Sequence, residues 1–288
     1  MRIGLSIARF DWPGGPAAIR PNLIKTARAA EDGGLSSLWV MDHFFQIPGL
    51  GEPEEPMLEG YTALGFLAAA TERISLGTLV TGVTYRNPAI LAKTATTLDV
   101  LAGGRTYLGI GAAWFEHEHE SLGVRFPPVK ERFERLEEAL KIVNGMWSES
   151  EDGFEGVHYQ PKRLLNVPSP VSSPRPKILI GGAGEQKTLL FVARYADACN
   201  LFDAGDEVLT HKLDVLRAHC ESEGRDYDAI EKTALVRLAA DAKAGEAVER
   251  LEQLRALGIE HAITVVPPEG GDAFLELLSE IASATSAL

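Results

Sequence analysis

The stretch ISLGTLVTGVTYRNPAILAKTATTLDVLAGGRTYLGIGAAW, residues 74–114, decides how the chain is read. It divides into a strand over 74–80, a loop over 81–87, a helix over 88–102, the pair Gly103-Gly104 and a second strand over 105–112. Asn87 stands at the N-cap, Pro88 at the first helical position, where its missing N–H costs nothing, and the glycine pair closes the helix. Both strands are continuous apolar runs without polar alternation. Strands of that kind are covered on both faces and run parallel to their neighbours, so the stretch is one complete strand-helix-strand unit.

The unit repeats along the chain. Further strands are expected over 2–8, 36–41, 177–180, 198–202, about 231–238 and 261–265. Helices are expected over 17–32, 61–71, 130–147, 185–195, 206–224, 245–257 and 272–284. Eight strands alternating with eight helices in 288 residues predict the α/β class and a single (β/α)8 TIM barrel over 1–288, a fold that typically takes about 250 residues. Three segments break the rhythm: 42–60, 114–129 and 148–176. The last carries five prolines and a hairpin tip at Phe154-Glu155-Gly156-Val157, and reads as an insert, not a separate domain. All three are candidates for a lid over the C-terminal ends of the strands.

The net charge of −13 argues against a nucleic-acid or anionic-membrane surface, which needs a basic face. Cys199 and Cys220 form no spaced framework and read as reduced thiols of a cytoplasmic protein. The N-terminus enters a strand directly with no signal-peptide pattern, and no window approaches the roughly 18 apolar residues of a spanning helix.

Barrel active sites sit at the strand exits. The second strand exits into Asp42-His43-Phe44-Phe45, where His43 can act as general acid or base, its ring fixed by a carboxylate, or can merely cap a loop. The fifth exits into Gly181-Gly182-Ala183-Gly184 and a helix, a turn through which backbone N–H groups approach a phosphate. A Rossmann reading with Asp203 as the ribose acid lacks the third glycine, where Lys187 stands. A plain packing turn is the other reading. The fourth strand exits through Gly111, Ala112 and Ala113 to Trp114; small residues there admit a flat ring against the backbone or simply suit the taper of the barrel. The run Glu116-His117-Glu118-His119-Glu120 invites a metal or a glycosidase reading. Its spacing places the two histidines on one face only in a strand, and the only partner acid is Asp241, so a solvated acidic loop is expected.

Taken in order, Asp42-His43-Phe44, Leu76-Gly77-Thr78-Leu79-Val80, Tyr85-Arg86-Asn87-Pro88, Leu98-Asp99, Gly103-Gly104-Arg105, Leu108-Gly109-Ile110-Gly111 and Ile180-Gly181-Gly182-Ala183-Gly184 with Ala196-Asp197 resemble the bacterial luciferase-like superfamily, and most closely its branch that depends on the deazaflavin coenzyme F420. The similarity covers nearly the whole chain. It implies an oxidoreductase that passes a hydride between F420 and a small organic substrate, and a homodimer packed through helices near the second and third strands. It also implies a non-proline cis peptide at Leu79-Val80 behind the ring, Asp42 at the ring's polar edge and His43 near the reacting carbon. Gly111 and Ala112 would lie beside the ring, Gly181, Gly182, Ala183 and Gly184 around the phosphate, and Phe44, Phe45 and Trp114 on the substrate side. Sugar-phosphate-oxidising relatives place a glutamate where this chain has Trp114, a departure that argues against that substrate class. Two alternatives stand beside this reading: an FMN-dependent monooxygenase on the same scaffold, and a non-catalytic deazaflavin carrier.

Overall fold

The computed structural model describes residues 1–239, 241–266 and 271–286. Parallel strands close into a barrel: β1 (Arg2–Ile7), β2 (Ser37–Val40), β3 (Ser75–Thr78), β4 (Thr81–Gly82), β5 (Thr106–Gly111), β6 (Lys177–Gly181), β7 (Ala198–Phe202), β8 (Glu231–Val236) and β9 (His261–Val265). β9 pairs with β1, and β3 pairs with both β2 and β5, which completes the circle. β3 and β4 are two halves of one stave, so the barrel has the expected eight.

Its outer ring is α1 (Pro16–Asp32), α2 (Gly60–Ala70), α3 (Pro88–Leu101), α5 (Val129–Met146), α6 (Thr188–Tyr195), α7 (Asp206–Glu223), α8 (Ala244–Ala256) and α9 (Gly271–Ser286). A further short helix, α4 (Glu116–Leu122), lies in the segment expected to be loop. The opening unit folds as read: the Asn87 side chain accepts from the Ala89 N–H at 3.0 Å, and Gly103 and Gly104 adopt positive φ after the helix.

The break in the third stave is a register slip. Leu76 and Gly77 pair with Thr106 and Tyr107, whereas Thr81 and Gly82 pair with Ile110 and Gly111. Four steps on one strand thus match three on the other, which is a bulge of one residue. It falls at Leu79-Val80, whose peptide is cis. The re-aimed Val80 fills space opposite three glycines: a Cβ at Gly109, Gly111 or Gly181 would stand 3.2, 3.0 or 2.9 Å from its methyls. The glycines of the fourth and fifth exits therefore make room for Val80 as well as for any ligand.

Below the bulge, Trp39 lies wholly buried across the barrel axis, accommodated by Gly77, where a Cβ would meet its ring at 2.6 Å. Beneath it a polar chain closes the N-terminal end. Trp39 Nε1–H donates to Ser37 Oγ at 2.6 Å, Ser37 Oγ lies 2.9 Å from His261 Nε2, and His261 Nδ1 lies 2.9 Å from Glu231 Oε1. His261 donates from Nδ1 to the Glu231 carboxylate, and with the ring neutral its Nε2 accepts from the Ser37 hydroxyl. Burial lowers its pKa, opposed by Glu231. In the unfolded chain the imidazole takes a proton near pH 6.5, so below that pH the unfolded state binds more protons and folding stability falls, by up to about 1.4 kcal/mol per pH unit. Glu231, held low against its own burial by His261 and Arg2, adds a similar loss only below its ordinary range near 4.5. Urea unfolding between pH 7 and 5 should therefore slope more steeply for the wild type than for His261→Gln; equal slopes would refute the assignment.

The insert folds back as an antiparallel hairpin. Asp152 bridges to Arg163, and Gly156 N–H donates to the Tyr159 carbonyl at 3.0 Å. Glu138 of α5 accepts from the Val157 and Tyr159 N–H groups, and Asp99 of α3 accepts from Val171 and Ser172. The insert is thereby tied to the outer helices, away from the strand exits. It is not the lid that its length suggested.

Candidate active site

At the C-terminal ends of the strands lies a cavity of about 640 Å³, within the range of small-molecule and cofactor sites. Of the residues read from the sequence, Asp42, His43, Leu79, Val80 and Gly111 line it, with Ala112, Trp114, Gly181 and Gly182. The excursion after β2 contributes Ile47 to Leu50, so this segment, unlike the insert, does wall the site. Phe44 and Phe45 lie outside the lining. They turn edge-on to Tyr85 at 5.2 Å and onto His117 at 6.5 Å, respectively. Ala183 and Gly184 also lie outside it.

The turn after β6 differs in detail from expectation. Residues 185–187 form a separate turn and α6 begins at Thr188, because the Leu189 N–H reaches back to the Gly184 carbonyl at 3.0 Å. Gly182 has φ +117°, a conformation that side chains rarely adopt, and a Cβ at Gly184 would stand 2.9 Å from the Thr188 hydroxyl. Thr188, the first residue of α6, lines the cavity with Gly182, which sets the start of that helix at its wall. Asp203, weighed as a ribose acid, is instead paired with Arg250 of α8.

Asp42 is 1% exposed, and both of its oxygens are engaged by Arg86, Oδ2 by Nη1 at 2.5 Å and Oδ1 by Nη2 at 2.9 Å. Burial raises its pKa, and the guanidinium opposes that shift. A carboxylate committed in this way braces the loop that carries His43.

The run 116–120 is where the sequence reading failed. Glu118 and His119 are both 0% exposed, not solvated. α4 packs onto the mouth of the barrel, and the Glu118 carboxylate accepts from the backbone N–H groups of Phe44 and Phe45 at Oε1, and from Tyr85 Oη–H at Oε2. His43 Nδ1 lies 3.0 Å from the same Oε2. Although burial pulls the other way, these hydrogen bonds hold Glu118 below the ordinary carboxylate value, so it is ionised. His119 donates from Nδ1 to the Phe115 carbonyl at 2.7 Å and stacks on the Tyr85 ring. The cue available in the sequence was Gly123, which is the left-handed cap of the helix.

The ring of His43 stands edge-on to Trp114 and Phe115, with centroids 5.7 and 5.9 Å away. The site therefore offers one imidazole fixed by a buried carboxylate, a largely apolar wall and a helix start suited to an anion. Such a set can hold a ring cofactor and move one proton. Among the described residues no group of three or more His, Cys, Asp or Glu is placed to hold a metal, and no helix is long and apolar enough to cross a membrane.

The profile of the luciferase-like monooxygenases matches residues 1–282. An F420-dependent glucose-6-phosphate dehydrogenase of Kineococcus radiotolerans is 33% identical over 228 residues, 76% of this chain and 64% of that relative; the match thus spans less than two thirds of the relative's length. An F420-dependent secondary alcohol dehydrogenase, solved with an F420-acetone adduct, superposes with a TM-score of 0.82 at 19% identity over 97% of this chain and 98% of that one. A monooxygenase of Streptomyces bottropensis superposes with a TM-score of 0.83 at 18% identity over 99% and 100%. At those identities the two structures speak for the fold alone.

Proposed function

This chain belongs to the luciferase-like monooxygenase family, and we propose that within it the protein is an F420-dependent oxidoreductase that passes a hydride between the deazaflavin and a small organic substrate. The observation that carries the reading is the convergence on one cavity of the Leu79-Val80 bulge, the Gly182 turn with the start of α6, and His43. The match to an F420-dependent dehydrogenase at 33% identity supports the choice of cofactor.

The residues fit such a group. Gly182, at positive φ, and Thr188 at the start of α6 stand together at the cavity wall, and this part of the turn would receive the cofactor's phosphate. Leu79 and Val80 back the ring, and Gly111 and Ala112 leave it space. When bound, F420 supplies the two-electron donor or acceptor, while the protein supplies orientation, exclusion of water and one proton site. Trp114, which lines the cavity at the exit of β5, would take the place of the glutamate that the resemblance assigns to sugar-phosphate-oxidising relatives and would direct the site toward substrates without a sugar phosphate. The exposed Ile90 and Leu101 of α3 support a homodimer through the helices beside β2 to β4. Cys199 and Cys220 are buried and unpaired, and burial pushes the Cys199 thiol up to about 12, in keeping with a reduced, cytoplasmic setting.

Fluorescence titration of the protein with F420 and with FMN tests the cofactor. F420 is expected to bind at least tenfold more tightly. Tighter binding of FMN would overturn the reading in favour of a monooxygenase, and F420 binding without turnover across a panel of alcohols and carbonyl compounds would make the protein a carrier.

A further inference from the structure

The buried carboxylate of Glu118 comes from a helix that the sequence reading took for a solvated loop, and the proposed chemistry leaves it without a task. Its four donors are unequal in what they dictate. The N–H groups of Phe44 and Phe45 converge on Oε1 and demand an acceptor there. Oε2 takes the Tyr85 hydroxyl proton and faces His43 Nδ1 at 3.0 Å. An ionised carboxylate has no proton to give, so His43 must donate from Nδ1, and in the neutral ring Nε2 then carries the lone pair.

From this geometry we propose that Glu118 is a positioning residue that locks His43 in the Nδ1–H tautomer and so makes Nε2 the proton acceptor of the site. The assignment deepens the oxidoreductase reading and, for its catalytic part, rests on it. In the oxidising direction a bound F420 would supply the acceptor for the hydride lost from the substrate's carbinol carbon, while His43 Nε2 takes the hydroxyl proton and C–O becomes C=O. In the reducing direction the protonated imidazole returns that proton to the carbonyl oxygen. The other groups around the pair do not compete for Nδ1. Asp42 is held by Arg86, and His119 is held by the Phe115 carbonyl and by the Thr84 hydroxyl at 2.6 Å. His117 stands across Phe115 and Phe45.

Glu118→Gln separates charge from shape. The two backbone N–H groups fix the amide oxygen at the Oε1 position, which turns the amide NH2 toward His43 Nδ1. The ring must then accept at Nδ1 and carry its proton on Nε2, the wrong nitrogen for a base. Nitrogen NMR of 15N-histidine-labelled protein without cofactor, near pH 8, reads this directly, with His43→Asn identifying the signal. The wild type is expected to show a protonated Nδ1 and a bare Nε2, and Glu118→Gln the reverse. With F420 and a substrate, kcat/KM of the variant is expected to fall about 100-fold or more, chiefly in kcat, with unchanged thermal unfolding, and Glu118→Asp is expected to regain part of the rate. A wild-type His43 protonated on Nε2, a Glu118→Gln protein that keeps the Nδ1–H form, or an inverted tautomer with wild-type turnover would each overturn the proposal. Should the wild type turn over no F420 at all, the functional reading fails, and the NMR signature still supports the placement of the proton.

Discussion

Gly109→Ala is expected to destabilise the protein by about 3 kcal/mol or more, at or beyond the upper end of the usual cost of overpacking a core. The added Cβ would stand 1.9 Å from the Thr78 carbonyl oxygen and 3.2 Å from a Val80 methyl. The first contact is with backbone, which cannot turn aside as a side chain can. Nor can the carbonyl retreat easily, since Leu79 N–H is bonded to the Val40 carbonyl at 2.8 Å and Thr78 Oγ1 to the Gly109 carbonyl at 2.9 Å. Barrel staves on both sides thus hold the two backbones together. Gly65→Ala in α2 is the control. Its new Cβ has no atom within 4 Å, and alanine is favoured over glycine in a helix by about 0.5–1 kcal/mol, so that variant should be neutral or more stable. Gly181→Ala should fall between them, because its clash is with Val80 alone, and Val80→Ala should restore most of the loss. Urea unfolding of the four proteins checks the order, and a Gly109→Ala protein as stable as the wild type would mean that the bulge does not press on β5 as described.

The same contacts explain what could be read from the residues and what could not. The strands were legible because a barrel stave is buried on both faces and so appears as an unbroken apolar run, as in TYLGIGA; the helices were legible from Asn87-Pro88 and Gly103-Gly104. The bulge at Leu79-Val80 left no local mark, since Leu and Val suit an ordinary strand equally well, and only the resemblance pointed to it. Glu118 was misread for a related reason. Its burial is set by Phe44 and Phe45 backbone groups more than 70 residues upstream, and a carboxylate that accepts from partners so distant has the same local sequence as one in water. The insert was correctly read as a hairpin from Gly156, yet wrongly offered as a lid, because its anchors are Glu138 and Asp99 on the outer helices. Turn chemistry is local, whereas docking depends on residues that the segment does not contain.

Arg86→Ala is expected to cost about 3–5 kcal/mol at neutral pH, the usual penalty for leaving one member of a buried ion pair uncompensated. The guanidinium bonds both oxygens of Asp42, also reaches Glu59, and lies 4.8 Å over the Tyr61 ring. Glu59 is partly exposed and can turn to water; Asp42 cannot. Without Arg86 the folded protein must either keep a bare buried carboxylate or protonate it, and burial already raises the Asp42 pKa above its ordinary range. The sign of the pH dependence follows. In the variant the folded state binds a proton that the unfolded chain, with an ordinary aspartate near 3.9, does not. The penalty is therefore full above the raised folded value and is relieved as pH falls through it. The stability gap between Arg86→Ala and the wild type should be widest near pH 8 and narrow toward pH 5. Asp42→Asn in the Arg86→Ala background removes the buried charge and should recover part of the loss at pH 8 while leaving little pH dependence. Arg86→Lys should recover less than its charge suggests, because one ammonium cannot span both oxygens as the planar fork does. A gap below about 1 kcal/mol, equal at both pH values, would show that Asp42 reaches solvent on its own and does not brace the loop that presents His43.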